Sequence, residues 1–194
     1  MKQPLLPALI ALAFTPLTHA EIFVTPSIGY TIGGEVSDQF DNNYDIKGAE
    51  SYGIALETTL SNGRIGLFYS TQSSDVEEIK ASVSTHYLHF QSSLYYPLER
   101  GFSGLFGLGI GASYIDAKWV DDNVGFSASI FGGLAYKIND TLSLQGQLRW
   151  LGTVVDNDTT SICNLPTQDQ SCLIRFDTDW MNQFQTNLGL TYRF

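Results

Sequence analysis

The chain has 194 residues, 43% of them hydrophobic and 15% charged, and its 10 basic against 20 acidic side chains give a formal charge of −10. That length is one domain's worth, and so acidic a balance excludes nucleic acid as a partner, because neutralising phosphates takes a Lys/Arg surface that this chain lacks. An aromatic content of 13% excludes a disordered chain, and beyond the N-terminus no apolar run reaches the roughly 18–20 residues of a membrane helix.

Residues 1–20 begin Met1-Lys2, run through an apolar stretch from Leu5 to Leu17 and end Thr18-His19-Ala20. A basic start, a short apolar core and small residues before the cut describe a cleaved secretory signal peptide. A buried helix fits less well, because Pro4, Pro7 and Pro16 interrupt it. The mature domain is then 21–194. Export makes Cys163 and Cys172 candidates for a disulfide. They sit in a polar stretch from Asp156 to Asp179 without periodicity, where one bridge would close a small loop. No further Cys or His stands nearby to make a metal site, and no cofactor is expected.

From residue 21 onward the signal is period-two alternation, which predicts an all-β chain. The strands are expected at 21–33, 50–61, 64–73, 83–98, 102–115, 124–138, 141–154 and 179–194. The short connections fall after the second, fourth and sixth strands, as in an up-and-down antiparallel meander. Asn62-Gly63 is a two-residue hairpin signal; pairing Ser61 with Arg64 across it opposes Glu57 to Phe68 and Leu56 to Tyr69. Glu99-Arg100-Gly101 and Asn139-Asp140-Thr141 read as three-residue turns that set Leu98 opposite Phe102 and Ile138 opposite Leu142. The long connections, 34–49, 74–82, 116–123 and 155–178, gather at the other end.

Both a soluble secreted barrel and a membrane barrel alternate, so the composition of the two faces decides. One face carries Phe106, Leu108, Ile110 and Tyr114 on the fifth strand, Leu144, Leu148 and Trp150 on the seventh, and Phe184, Leu188, Leu190, Tyr192 and Phe194 on the last. The other face is Gly107, Gly109, Gly111 and Ser113; Gln145, Gln147 and Arg149; Gln183, Gln185 and Asn187. A water-facing exterior is rarely so rich in Gly and Ser and so poor in charge, whereas a packed lumen is. Aromatic residues flank an aliphatic middle: Tyr96, Phe102 and Tyr136 toward the short turns, Tyr114, Phe126, Trp150 and Trp180 toward the long loops. That is a bilayer pattern. Even strand number and closure, which leaves no edge unpaired in lipid, complete it: an eight-stranded antiparallel up-and-down transmembrane β-barrel.

The closing stretch from Asn187 to Phe194, alternating apolar residues that include Tyr192 and end in Phe194, resembles the C-terminal assembly signal of Gram-negative outer-membrane barrels. With the signal peptide and eight strands, the mature chain resembles the small outer-membrane barrel superfamily of opacity-type surface antigens, OmpX-like adhesins and the OmpA transmembrane domain. The resemblance implies location in the outer membrane, insertion by the barrel-assembly machinery, and short turns facing the periplasm. With the sequence ending at Phe194, cell-wall anchoring by a following periplasmic domain is not expected.

Inside the barrel, alternation places one strand acid, Glu57, and four bases, Arg64, Lys137, Arg149 and Arg193. A carboxylate in a narrow lumen is costly unless paired, so Glu57 is expected to bond Arg64, Arg149 or both. Such a pair is either a gate, as the resemblance to OmpA-like barrels implies, or a satisfied core ion pair that fills the barrel. Phe23, Phe68, Tyr87, Tyr95, Leu105 and Phe131 also point inward, which leaves no wide pore. His86 and His89 fall on opposite faces and cannot share a metal. His86 stands on the lipid side near Ser84, a placement that resembles outer-membrane lipid A deacylases, but in the order Ser-x-His and with no acidic partner evident. Gly107-x-Gly109-x-Gly111 is no nucleotide loop, since no helix follows.

Sixteen of the twenty acids lie in or beside the long connections, so the loop end is strongly negative. Divalent cations bridging to lipopolysaccharide are one reading, with Asp121-Asp122 and Asp156-Asn157-Asp158 as candidate ligands; a solvated loop surface is the other. The sequence therefore leads to a non-enzymatic outer-membrane barrel, a scaffold with acidic loops for contact with lipopolysaccharide, host or neighbouring cells. Trp119, Ile162, Leu165 and Leu173 are the loop apolar residues suited to such contacts. A low-conductance channel gated by Glu57, Arg64 and Arg149 is the alternative, and a lipid-modifying enzyme a weaker one.

Overall fold

A computed structural model describes residues 21–38, 43–45, 47–76, 81–116, 124–154, 162–164, 171–175 and 180–194. Eight long strands form the wall: β1 (Ile22–Gly33), β4 (Ala49–Leu60), β5 (Gly63–Val76), β6 (Ala81–Pro97), β7 (Phe102–Asp116), β8 (Val124–Lys137), β9 (Leu142–Val154) and β12 (Trp180–Arg193). Four short strands, β2 (Glu35–Asp38), β3 (Asn43–Asp45), β10 (Ile162–Asn164) and β11 (Ser171–Arg175), stand apart from it.

Each wall strand pairs antiparallel with its neighbour in sequence, and β1 pairs with β12 to close the barrel. Closure gives every strand two hydrogen-bonded neighbours, the condition lipid imposes on a spanning sheet. The two three-residue turns form as expected: Leu98 N–H donates to Phe102 O at 2.8 Å and Ile138 N–H to Leu142 O at 3.0 Å. Asn139 fixes the second turn, its Oδ1 accepting from the backbone of Thr141 and Leu142. Arg100 and Gly101 supply left-handed backbone, at φ 60° and 81°, to the first.

The first hairpin departs from the expected register. Leu60 pairs with Gly63, so the loop is Ser61-Asn62, with Ser61 at φ 47°, and Glu57 lies opposite Gly66 instead of Phe68. The slip is two residues, so it preserves the faces. Lumen volume explains it: Phe68 now lies opposite Ala55, and Glu57 opposite a residue with no side chain. Gly66 is itself required, because a Cβ there would stand 2.6 Å from Glu57 Cα.

The faces divide as alternation predicts. Leu67, Leu88, Leu108, Ile110, Leu134 and Leu148 are exposed on the outside, while Ser, Thr and Gln side chains are buried inside. Exposed apolar and buried polar residues together invert the order of a soluble protein and identify the outer surface as lipid-facing. Tyr96, Phe102, Tyr136, Tyr192 and Phe194 ring the short-turn end on that surface, and Tyr30, Tyr52, Tyr114 and Phe126 ring the loop end.

The stretch from Asp156 to Asp179 is not devoid of regular structure. β10 and β11 form a hairpin whose register sets Cys163 opposite Cys172, and β11 pairs with β2, which pairs with β3. The first and last long connections thus share one four-stranded sheet in the order β10-β11-β2-β3. Strands of three to five residues are too short for periodicity to register in sequence. The signal peptide, Trp119, Leu165, Asp121-Asp122 and Asp156 to Asp158 lie outside the described residues.

Candidate functional site in the barrel lumen

The site is built on a bare strip. Gly107, Gly109 and Gly111 alternate along the inward face of β7, between β6 and β8. Across it His89, buried completely, reaches two serines of β8: its Nδ1 shares a hydrogen bond of 3.0 Å with Ser129 and its Nε2 one of 2.6 Å with Ser127. Phe131 occupies the space above Gly107, where a Cβ would run into the ring. Gly107 and Gly109 therefore clear room for lumen side chains, and Gly111 for the β6 backbone, where a Cβ would stand 2.9 Å from His89 Cα.

Glu57 and Arg149 are 5% and 2% exposed, two buried charges within one narrow barrel. They are joined through Gln91. Its Nε2 donates to Glu57 Oε1 at 2.9 Å, and Arg149 NH2 donates to its Oε1 at 2.7 Å. Gly66 lies between Glu57 and Gln91 in the sheet, so the glutamine side chain crosses without obstruction. Arg149 NH1 donates to Ser129 Oγ at 2.9 Å, linking this chain to His89. The guanidinium is clamped between Phe68 and Phe131, at 3.8 and 4.1 Å from the ring centres.

Arg64 forms a second clamp toward the short turns, 3.7 Å from the Phe23 ring and 4.3 Å from that of Tyr95. Its NH1 donates to the Tyr95 hydroxyl at 3.1 Å and stands 4.0 Å from Glu57 Oε2. Of the two partners expected for Glu57, Arg64 makes a loose ion pair with it directly, and Arg149 reaches it only through Gln91. Lys137 and Arg193 do not join it. They lie at the rim, Lys137 Nζ 2.6 Å from Asp140 and Arg193 NH1 3.1 Å from Glu21, where the lumen opens and charge keeps its water.

Toward the loops the lumen is neutral and hydrogen-bonded. Tyr87 and Gln72 both donate to Gln183 Oε1, at 2.6 and 2.9 Å, and Gln185 Nε2 donates to Ser70 and Thr31. Leu151 and Met181 are buried among these polar groups. Gln91, His89 and Ser129 carry no charge that marks them as a linked set in sequence; the glycine strip beside them, Gly109 next to Gln91 and Ser129 and Gly111 next to His89, is the sequence signal for the crossing.

On the outer surface, His86 Nδ1 shares a 2.9 Å hydrogen bond with Tyr69, and Ser84 Oγ one of 2.8 Å with Ser73. The register sets Asp116 opposite Ser84, an acid that sequence spacing did not bring near. His86 and Ser84 are nonetheless engaged with other residues. At the chain end, the Tyr192 and Phe194 rings pack edge-on at 4.6 Å, and Phe194 N–H donates to Ile22 O at 2.9 Å, tying the last residue to the first strand. Among the described residues no group of three or more His, Cys, Asp or Glu could hold a metal ion.

A closed eight-stranded barrel with an apolar, aromatic-girdled exterior and a packed polar lumen is by fold a transmembrane β-barrel, its lipid-facing belt spanning the bilayer. Solved structures agree. Neisserial surface protein A is similar over 89% of this chain and 97% of its own, with a TM-score of 0.62 at 10% identity. The outer-membrane protein AlkL, solved in lipid bilayers, is similar over 90% of each chain, with a TM-score of 0.54 at 13% identity. No family model and no curated protein matches the chain.

Proposed function

We propose that this protein is a non-enzymatic outer-membrane barrel with a sealed lumen, whose loops carry its function as a surface contact. The observation that carries the reading is the Phe68–Arg149–Phe131 clamp, bonded through Gln91 to Glu57 across the middle of the barrel. A solute would have to displace two aromatic rings and leave two buried charges unpaired, which is costly. The shared sheet of β10, β11, β2 and β3 supports a loop platform in place of separate strings, and the acidic connections suit contact with lipopolysaccharide through cations, with host surfaces or with neighbouring cells. Similarity to a protein named as a surface protein agrees with this. In the same reading residues 1–20 are removed on export, a Cys163–Cys172 bridge holds the loop hairpin, and Tyr192 and Phe194 are read by the barrel-assembly machinery.

The test is single-channel recording of refolded protein in a planar bilayer, beside Glu57→Ala and Arg149→Ala, with a binding assay on a variant shortened between Asp156 and Asp177. Silence from the wild type, with binding lost on shortening, is expected. Discrete wild-type openings altered by either substitution would replace the scaffold with a channel gated by Glu57, Arg64 and Arg149, the reading favoured by the loose 4.0 Å contact between Glu57 and Arg64.

A further inference from the structure

Glu50, at the loop end of β4, is exposed on the outer face of the wall, beside Tyr30 and Tyr52 of the aromatic ring. Tyr52, one step deeper on the same face, donates to its Oε2 at 2.9 Å and holds the carboxylate against the wall. The register sets Thr186, Tyr30 and Glu50 in one row across β12, β1 and β4, and Leu188, Ile28 and Tyr52 in the next row toward mid-membrane. These two rows line an open groove of about 490 Å³. Two features leave room for it. Thr186 is short and turns its hydroxyl in to the Tyr30 carbonyl oxygen at 3.2 Å, and the Tyr30 ring leans over Gly48, where a Cβ would stand 2.7 Å from it.

We propose that this groove binds one phospholipid whose headgroup ends in a primary ammonium, with the ammonium on Glu50 and an acyl chain along Ile28 and Leu188. The volume, about 490 Å³, lies within the roughly 300–1,000 Å³ of small-molecule sites. The groove also has the polarity of an amphiphile. Carboxylate, phenol and hydroxyl groups lie toward the loops, at the headgroup level where aromatic girdles sit, and the aliphatic side chains lie toward mid-membrane. Charge then selects the headgroup. A carboxylate only accepts hydrogen bonds and repels a headgroup whose net charge is that of its phosphate, whereas a primary ammonium brings three donors. A quaternary ammonium brings none, which separates an ethanolamine head from a choline head. The exposed rings of Tyr30 and Tyr52 add attraction for a cation. The site is on the wall, so it is independent of whatever the loops contact.

The test is native mass spectrometry of the refolded protein in detergent, titrated with phosphatidylethanolamine, phosphatidylcholine or phosphatidylglycerol of matched chains. One phosphatidylethanolamine should be retained about fivefold better than either other lipid, the factor that an exposed ion pair gives at the top of its range. Glu50→Gln should abolish that preference, and Thr186→Leu, which fills the groove, should lower retention of all three lipids. Asp116→Asn removes another outward acid at the loop end, on a strand that does not line the groove, and should leave the preference intact. Folding of each variant is checked by the shift in gel mobility on heating, and the comparison of lipids on the wild type needs no variant. Equal retention of the three lipids by the wild type means ordinary boundary lipid and overturns the proposal. Stronger retention of phosphatidylglycerol also overturns it, as does a preference that survives Glu50→Gln or disappears in Asp116→Asn.

Discussion

Replacing Gln91 by leucine tests the account of the lumen most directly. The substitution keeps side-chain size but removes both bonds that join Glu57 to Arg149, at 2.9 and 2.7 Å. Hydrogen bonds to charged groups contribute about 1.5–3 kcal/mol each, so two lost together should cost roughly 3–6 kcal/mol. Neither charge has a ready substitute: Arg64 is held by Phe23 and Tyr95, and Arg149 by Phe68 and Phe131. The assay is urea unfolding in lipid vesicles, followed by tryptophan fluorescence and by the shift in gel mobility on heating. A double-mutant cycle of Glu57→Ala and Arg149→Ala should show coupling with Gln91 present and little in the Gln91→Leu background. A loss below about 1 kcal/mol, or coupling unchanged without Gln91, would refute the bridge and mean that the charges interact directly or are solvated independently.

Three further outcomes are expected. Leu108→Arg puts a charge in the middle of the lipid-facing belt, where Leu108 is exposed, and should destabilise the barrel by about 2–4 kcal/mol in the same unfolding assay. Cys163 and Cys172, opposite one another in register, should resist maleimide until reduced, and replacing both by serine should speed proteolysis between 155 and 178 while the barrel stays folded; thiols reactive without reductant would rule out the bridge. Lys137 donates to Asp140 and holds its carboxyl below the usual aspartate range, so an NMR titration should find a low midpoint that returns toward normal in Lys137→Met. The associated stabilisation is complete above the ordinary aspartate value of about 3.9 and is lost as pH falls through the lower folded value.

Alternation alone fixed much of this protein. Strand number, the order of connections, the two three-residue turns and the assignment of faces were legible because each is a local property: a period of two, a turn composition, an apolar row. Identification of Glu57, Arg64 and Arg149 as lumen charges followed from the same parity. What alternation cannot give is register, because parity survives a two-residue slip; the first hairpin took Ser61-Asn62 as its loop once lumen volume set Gly66, and not Phe68, beside Glu57. That choice opened the path for Gln91, an uncharged residue on a third strand, to become the link between two charges. The shared loop sheet was hidden for a related reason, since its strands are too short to carry a period and join segments more than a hundred residues apart. The sequence thus determined which side of the wall each residue occupies, while closure of the barrel decided which residues meet inside it, because side-chain volumes can be matched only when all eight strands share one confined lumen.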